Sequence, residues 1–329
     1  MKSTLSRLFD HQLLSREEAR DILLRISGAA FNPVQIASFV SVFNMRPVSI
    51  PELQGFRDAL LELCVKVDVG GQSTIDIVGT GGDGKNTFNI STLSAITVAG
   101  AGYKVTKHGS YGVSSSVGSS DVLMALGYRF SNDGSVLLRQ LERANICFLH
   151  APLFHPALKE VAPVRKDLGM KTFFNMLGPL VNPIQPSHQL FGTFSLELQR
   201  LYQYLLQESD RRFIIVYALD GYDEVSLTGP FKIAGNGLEK VLHPEDLDLP
   251  VYTQPDLDGG QNPEEGAKIF RDVLENKGTK AQMDTVSANA GLAIHCFHPE
   301  RSLKDCIAEA RESLESGRAL GVLKTLLEQ

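Results

Sequence analysis

Residues 79–84 read GTGGDG and directly follow a short apolar stretch, residues 75–78, that is typical of a buried β-strand. A strand that ends in glycines lets backbone N–H groups approach a phosphate closely, and the N-terminus of a following helix attracts the same anion. The pattern therefore predicts a phosphate-binding loop. A plain tight turn is the alternative interpretation of these glycines.

Two common nucleotide-binding motifs nearly match this loop. The dinucleotide fingerprint G-x-G-x-x-G also needs an acid about 20 positions later, but the next acid after Asp83 is Asp121. The P-loop needs a magnesium-binding serine or threonine after its lysine, and Asn86 occupies that position. Both templates fail at the position that their chemistry needs most, so neither identifies the ligand.

The loop opens a long stretch without negative charge. Residues 84–120 contain no Asp or Glu, although 38 of the 329 residues are acidic. The same stretch carries Lys85, Lys104, Lys107 and His108 among many serines, threonines, asparagines and glycines. This composition favours a polyanionic ligand such as a sugar pyrophosphate. Asp83, at its beginning, could orient a ligand hydroxyl or a hydrated metal ion.

Three carboxylates follow a second predicted strand, residues 213–217. They are Asp220, Asp223 and Glu224. Carboxylates at the carboxyl end of a strand suit Mg2+ that is bound together with a phosphorylated ligand. A solvated acidic turn is the alternative, but the acid-free stretch upstream makes a magnesium ion between carboxylates and pyrophosphate the favoured interpretation.

The predicted secondary structure changes near residue 74, from helices alone to alternating strands and helices. Helix-start signals at Ser15, Asn32 and Ser49 predict a helical segment that ends at a linker, residues 70–73. Beyond it, predicted strands alternate with helices and indicate an α/β sheet of mostly parallel order. The strands are residues 75–78, 103–106, 146–149 and 213–217, and the first helix between them is residues 91–100. So small a helical bundle needs a partner surface or a dimer.

Length and composition set outer bounds on the protein. With 329 residues, two domains are expected. A net charge of −6 argues against non-specific nucleic-acid binding. No apolar run approaches the length of about 20 residues that a membrane span needs, and no signal peptide is apparent, so a cytoplasmic enzyme is predicted. The four cysteines are predicted to be buried free thiols.

Several motifs in order resemble the anthranilate phosphoribosyltransferase family, and the resemblance covers essentially the whole chain. The motifs are residues 79–83, 89–92, 107–109, 113–115, 118–121, 151–183 and 223–224, with a C-terminal helix around residues 289–290. The implied fold class is α/β, with a small N-terminal helical domain and a larger α/β domain with a mostly parallel central sheet, as in nucleoside phosphorylases. The helical domain would be residues 1–70, joined by a segment near 165–185. Residues 71–329 would bind phosphoribosyl pyrophosphate.

The implied reaction transfers phosphoribose from 5-phosphoribosyl-1-pyrophosphate to the amine of anthranilate. It gives N-(5-phosphoribosyl)anthranilate and pyrophosphate, in tryptophan biosynthesis. The resemblance also implies a homodimer formed through the helical domain. Because the aniline amine is already neutral at pH 7, no classical acid or base is expected. Lys107 and Asp83 would act through positioning and electrostatics.

The resemblance carries site residues over position by position. The phosphoribosyl pyrophosphate site would comprise Gly79, Gly82, Asp83, Thr87, Asn89, Ile90, Ser91, Thr92, Lys107, His108, Gly109, Ser115 and Ser119. Anthranilate would contact Gly79, Ser110 and Arg165. Mg2+, expected as a pair of ions, would be held by Ser91, Asp223 and Glu224.

The chain departs from the family pattern in the loop after Lys107. The usual Lys-His-Gly-Asn-Arg ends here in Ser110 and Tyr111, so one acceptor contact and one positive charge differ. Met124 and Lys171 are milder departures. Two alternatives therefore stay open: a related phosphoribosyltransferase or phosphorylase with another acceptor, and a non-catalytic nucleic-acid-binding paralogue. The net charge and the intact acid pair at residues 223–224 count against the second.

Overall fold

A computed structural model of the protein describes residues 1–112 and 117–328, in two compact units. One unit is Met1–Val67 with Ala151–Pro183, and the other is Asp68–His150 with Ile184–Gln329. The α-helices are α1 (Lys2–Phe9), α2 (Arg16–Ser27), α3 (Pro33–Met45), α4 (Ile50–Leu63), α5 (Ile90–Gly100), α6 (Ser119–Ala125), α7 (Gly134–Ala144), α8 (Ala151–Phe154), α9 (Ala162–Leu168), α10 (Leu196–Leu206), α11 (Pro263–Leu274), α12 (Lys280–Phe297), α13 (Leu303–Glu315) and α14 (Arg318–Leu327). Short 3₁₀ helices cover Pro156–Glu160, Phe173–Met176, Gly178–Leu180, Pro244–Leu247 and Gln254–Leu257.

The first unit is helical, and the predicted helix starts are confirmed. The side chains of Ser15, Asn32 and Ser49 each accept a hydrogen bond from a backbone N–H three residues later, at 3.2, 2.9 and 3.4 Å. Such caps satisfy N–H groups that have no partner within the helix. Helices α2, α3 and α4 therefore begin directly after these residues. Helix α1 was not predicted.

Aromatic side chains hold the helical unit together. Phe39 and Phe43 of α3 meet Phe56 of α4 at ring-centroid distances of 6.0 and 5.4 Å. Phe173, from the later segment of the same unit, stacks on Phe56 at 4.5 Å. The core of this unit is therefore built from two stretches that lie more than a hundred residues apart in the chain.

The second unit contains a seven-stranded sheet in the order β3-β2-β1-β4-β5-β6-β7. The first five strands run parallel, while β6 and β7 are antiparallel. The strands are β1 (Ile75–Gly79), β2 (Val105–Gly109), β3 (Ile146–His150), β4 (His188–Gly192), β5 (Arg212–Ala218), β6 (Phe231–Gly235) and β7 (Leu238–Leu242). The predicted α/β class with a mostly parallel sheet is confirmed. The strand order reverses between β1 and β4, where ligands bind in open α/β sheets.

Two local predictions differ from the structure. Strand β2 begins at Val105 instead of Tyr103, because the Tyr103 N–H bonds the carbonyl of Val98 and closes the end of α5. Strands β4, β6 and β7 were not predicted. Helix α5 begins at Ile90, one residue before the predicted start.

Other composition-based predictions can be compared with the described residues. Cys64, Cys147, Cys296 and Cys306 are buried free thiols, as predicted. Burial raises the pKa of Cys147 and Cys296 to about 12 and that of Cys306 to about 11. Among the described helices, none combines the length and the apolar character that crossing a membrane requires.

Candidate active site

Two glycines mark the point where the strand order reverses. Gly79 and Gly192 end β1 and β4 and are register partners. A Cβ atom at Gly79 would lie 2.3 Å from a carboxylate oxygen of Asp223, and one at Gly192 would lie 1.6 Å from the Asp223 carbonyl oxygen. No real Cβ contact is that short, so both strands must end in glycine for Asp223 to lie across their ends.

The acid pair after β5 is held by two of the predicted phosphate-site segments. The Asp223 carboxylate accepts the N–H of Gly81 at 2.7 Å, and Gly81 has a left-handed φ of +61° that suits glycine. The Glu224 carboxylate accepts both the N–H and the hydroxyl of Ser91, at 3.1 and 2.7 Å. Ser91 lies in the first turn of α5, so the structure brings Ser91, Asp223 and Glu224 together.

Helix α12 fixes the backbone behind the acid pair. The Asn289 side chain accepts the N–H of Val225 at 3.0 Å and donates to the Val225 carbonyl at 2.9 Å. Its amide also donates to the carbonyl of Thr285 at 2.9 Å. The sequence predicted a helix around Asn289 but not the contact with Val225. The signal in the sequence was a polar residue on a largely buried helix.

Burial raises the pKa of both acids. For Asp223 the second cause is the negative charge of Asp83, and for Glu224 it is Asp223 itself. Two carboxylates that would be destabilised as a pair of bare anions favour a cation between them. Carboxylate and hydroxyl oxygens are the hard ligands that Mg2+ prefers. These donors therefore fit a divalent cation.

The protein supplies only part of a coordination shell there. Within residues 1–112 and 117–328, three or more His, Cys, Asp or Glu side chains are nowhere gathered as a metal site. Mg2+ usually completes its shell with water and substrate phosphate oxygens. A cation at Asp223 and Glu224 would therefore depend on an anionic substrate.

Lys107 is the buried cation of this region. Its amine donates to the carbonyl of Ile77 at 2.6 Å. Burial lowers its pKa, while Asp76, Glu224 and Asp223 oppose that shift. Asp76 also accepts the His108 N–H at 3.1 Å. Asp76 was not identified as a site residue from sequence. Its role depends on its contact with β2, and a single acid within an apolar strand does not indicate which strand lies beside it.

The glycine-rich loop places its other predicted residues around the same strand ends. Asp83 accepts the N–H of Lys85 at 3.0 Å, which closes a turn around Gly84, whose φ is +74°. Thr87 lines a pocket of about 300 Å3 beside the loop. Asn89 donates to the Val117 carbonyl at 3.4 Å and precedes Ile90 at the start of α5, in which Thr92 is buried.

The loop after β2 is described on both sides of residues 113–116. A Cβ atom at Gly109 would lie 2.7 Å from the Ser119 hydroxyl. That hydroxyl donates to the Ser110 carbonyl at 3.1 Å. Tyr111 packs edge-on against His150, with 4.8 Å between the ring centroids. The predicted phosphate contact Ser115 lies outside the described residues.

Arg165 belongs to the helical unit, where it contacts Phe174 and Asn175. Its guanidinium lies 5.5 Å from the ring centroid of Phe174 and donates to the Asn175 amide oxygen at 3.4 Å. Burial lowers its pKa. Among the described residues no carboxylate forms an ion pair with it, so its partly buried positive charge has no acidic partner in that part of the chain.

Comparison with known proteins agrees with this arrangement. Residues 2–64 match the helical bundle domain of a glycosyl transferase family, and residues 71–320 match the a/b domain of that family. An anthranilate phosphoribosyltransferase of Cytophaga hutchinsonii is 58% identical over 98% of this chain and 99% of its own length. The chain belongs to the anthranilate phosphoribosyltransferase family.

Other anthranilate phosphoribosyltransferases are similar in sequence and in structure. The relative from Bacteroides thetaiotaomicron is 55% identical over 100% of this chain and 99% of its own. The crystal structure of the Thermus thermophilus enzyme matches with a TM-score of 0.92 at 33% identity, covering 98% of both chains. The Saccharomyces cerevisiae enzyme in complex with PRPP and Mg matches with a TM-score of 0.90 at 27% identity, covering 99% of this chain and 96% of that one.

Proposed function

We propose that this protein transfers phosphoribose from 5-phosphoribosyl-1-pyrophosphate to the amine of anthranilate, with release of pyrophosphate. The observation that carries the proposal is the acid pair Asp223 and Glu224. Asp223 is buried across the ends of β1 and β4 and accepts the N–H of Gly81 in the glycine loop, and Glu224 accepts the N–H and the hydroxyl of Ser91 at the start of α5. Such a site suits a magnesium-bound pyrophosphate. Yeast relatives bound to PRPP and Mg and to 4-fluoroanthranilate support both substrates.

The residues of the α/β unit would bind and orient the sugar phosphate. Backbone N–H groups of the glycine loop and of the first turn of α5 would donate to phosphate oxygens. In the structure those of Gly81 and Ser91 bond Asp223 and Glu224, so these two would have to exchange the carboxylate for phosphate when the carboxylates bind the cation. The buried amine of Lys107 would stabilise the negative charge of the departing pyrophosphate. Ser91, Asp223 and Glu224 would hold Mg2+, which supplies positive charge to the leaving group when bound. The expectation of a pair of ions stays a prediction.

The acceptor needs placement more than activation. The amine of anthranilate is neutral at pH 7 and carries its own lone pair, so the protein need not remove a proton before attack. Arg165 would bind the anthranilate carboxylate, because a guanidinium suits a carboxylate as donor and an aromatic ring as stacking plane. Gly79 and Ser110 are the other two residues proposed to contact anthranilate.

A second candidate function is transfer to a different acceptor. Ser110 carries a hydroxyl where the family pattern has an amide, and Tyr111 is packed against His150 where the pattern has a charge. These changes concern only the acceptor loop and leave the acid pair and Lys107 in place. The candidate differs from the main proposal in acceptor, not in sugar donor.

We further propose that residues 1–70, with a segment near 165–185, form the domain through which the chain makes a homodimer, while residues 71–329 bind the sugar phosphate. The helical unit exposes large apolar side chains: Phe9, Leu13, Val34, Met45 and Met170. Exposed apolar surface of this kind marks protein interfaces. Light scattering should give twice the chain mass, and replacing Val34 and Met45 with glutamate should give the monomer. The cytoplasmic location also stays a prediction.

A fluorescence assay tests the proposed reaction. Purified protein is incubated with anthranilate, phosphoribosyl pyrophosphate and Mg2+, and loss of anthranilate fluorescence is followed. Turnover that stops on chelation and resumes with added Mg2+ is expected. No turnover of anthranilate, combined with pyrophosphate release when another amine is supplied, would favour the second candidate. A salt-sensitive, nanomolar gel shift with nucleic acid would favour the non-catalytic alternative.

A further inference from the structure

The first turn of α6 holds both ends of the loop that follows β2. One carboxylate oxygen of Asp121 accepts the N–H of Gly118 at 2.8 Å and the N–H of Gly112 at 3.1 Å. The chain leaves at Gly112 and returns at Gly118, so a single side chain joins the exit and the entry. Hydrogen bonds to an ionised acceptor are roughly twice as strong as neutral ones.

The two ends of this loop are in close contact. A Cβ atom on Gly118 would lie 2.0 Å from the backbone nitrogen of Gly112. The N–H groups of Gly112 and Gly118 donate to the same oxygen of Asp121, so both point at one region of space. The Asp121 carboxylate occupies that position, so it sets the separation of the loop ends.

The same turn also grips the residues before Gly112. The carbonyl of Ser110 accepts the hydroxyl of Ser119 at 3.1 Å and the N–H of Ser120 at 3.2 Å. The Ser120 hydroxyl bonds His150 Nδ1 at 2.8 Å, and His150 is the ring against which Tyr111 packs. Ser110 and Gly112 therefore bond directly to the first turn of α6, and Tyr111 contacts it through His150.

From these contacts we infer that Asp121 is a positioning residue for the sugar-phosphate substrate. The inference rests on the proposed function, which assigns Gly109 and Ser119 to phosphoribosyl pyrophosphate. Asp121 fixes the described residues on both sides of residues 113–116, so Gly109, Ser110 and Ser119 are ordered before substrate arrives and binding does not have to supply that ordering. Removing the carboxylate moves the ordering into the binding step and weakens affinity for the sugar phosphate. The transfer step, in which Asp121 contacts no reacting atom, keeps its rate.

Kinetics and direct binding of D121A and D121N test this role. D121A should raise the KM for phosphoribosyl pyrophosphate by about 10- to 30-fold and change kcat by less than about 3-fold. D121N keeps an oxygen that can accept both N–H groups, without the charge, and should raise the KM by only about 3-fold. Calorimetric titration with phosphoribosyl pyrophosphate and Mg2+ should give the same order of dissociation constants.

D133A is the matched control. Asp133 accepts the N–H of Ser135 at 2.8 Å and caps α7, so its loss removes a similar local hydrogen bond away from the loop. D133A should lower stability slightly and leave the KM unchanged. If D121A does not fold, the comparison of D121N with wild type decides alone. An unchanged KM and dissociation constant in D121N and in any folded D121A, or a loss confined to kcat, would overturn the inference.

The wild-type protein separates this inference from the proposed function. Wild type that binds phosphoribosyl pyrophosphate but does not convert anthranilate would contradict the proposed reaction, and the D121A and D121N affinities would still decide the role of Asp121. Wild type that does not bind phosphoribosyl pyrophosphate would overturn both.

Discussion

Both units of the protein bury acids, but the helical unit pairs its acid with a cation, whereas the α/β unit places acids beside each other. In the helical unit Glu52 is 0% exposed, and the Arg46 guanidinium donates to its two oxygens at 2.6 and 2.9 Å. The N–H groups of Leu14 and Ser49 add hydrogen bonds at 3.0 and 2.9 Å. Burial raises the pKa of Glu52, but these donors outweigh burial and hold it below its usual range.

The acid pair of the α/β unit lacks such a balance. Asp223 is as buried as a core residue, yet its strongest charged neighbour is another acid, and the pKa of both Asp223 and Glu224 is raised. Burial alone therefore does not identify a functional acid. The groups around the carboxylate make the distinction. Glu52 is neutralised by Arg46 within the protein, whereas Asp223 and Glu224 would need a bound cation to balance their charge.

The largest expected effect comes from neutralising the pair. The double variant D223N/E224Q should lose at least about 1,000-fold in turnover, because bound Mg2+ contributes several kcal/mol to the transition state. Its melting temperature without Mg2+ should rise by about 3 °C, since mutual repulsion disappears. Steady-state kinetics and calorimetry measure the two effects. Wild-type turnover in this variant would remove the metal assignment.

Glu52 should behave in the reverse manner. E52Q leaves the Arg46 guanidinium without its buried partner and should lower the free energy of unfolding by about 3 kcal/mol. Turnover per folded molecule should stay unchanged. Urea unfolding measures the loss. The control is E62Q, which removes the exposed pair with Arg20 and should cost under about 1 kcal/mol. Equal losses in the two variants would contradict the contrast between them.

Arg165 extends the contrast to cations. Arg46 has Glu52, while no ion pair with Arg165 occurs in the described part of the chain. R165A should raise the KM for anthranilate by about 10- to 30-fold, as expected for a lost hydrogen bond between charged groups. The KM for phosphoribosyl pyrophosphate should change little. K166A, at the exposed next position of α9, is the control. An effect of R165A on the sugar phosphate alone would argue against the proposed contact.

The smallest expected effect is in pH dependence. Because the pKa of Glu52 lies below its unfolded value of about 4.3, its stabilising contribution is complete above about pH 5. It disappears as pH falls through the folded pKa. The difference in unfolding free energy between wild type and E52Q should therefore shrink by up to about 0.6 kcal/mol between pH 6 and pH 4. Urea unfolding at several pH values measures it, and a constant difference would mean that the pKa of Glu52 is the same in the folded and the unfolded state.

Local signals made much of the fold predictable. Caps lie within three residues of their partners, so Ser15, Asn32 and Ser49 could be recognised without any tertiary information. The antiparallel strands were also within reach, because Asn236 and Gly237 between β6 and β7 are a typical hairpin signal. No hairpin was predicted there, and Gly237 between the two strands adopts a left-handed φ of +68°.

The site was predictable only where its residues form motifs. The glycine loop and the acid pair each occupy a few consecutive positions, and their joint meaning came from charge patterning and resemblance. Asp76 and Asn289 act on His108 and Val225, which are 32 and 64 residues away. Such contacts depend on which strands become neighbours, and single-sequence periodicity carries no information on that order.

The reactivity of the four buried thiols can report local unfolding of the protein. Cys64 lies in the helical unit, whereas Cys147, Cys296 and Cys306 lie in the α/β unit. A thiol that is inaccessible in the folded state reacts only when its surroundings open. Pulsed alkylation followed by peptide mass spectrometry can therefore time the loss of each unit separately, in one unmodified protein and without an added label.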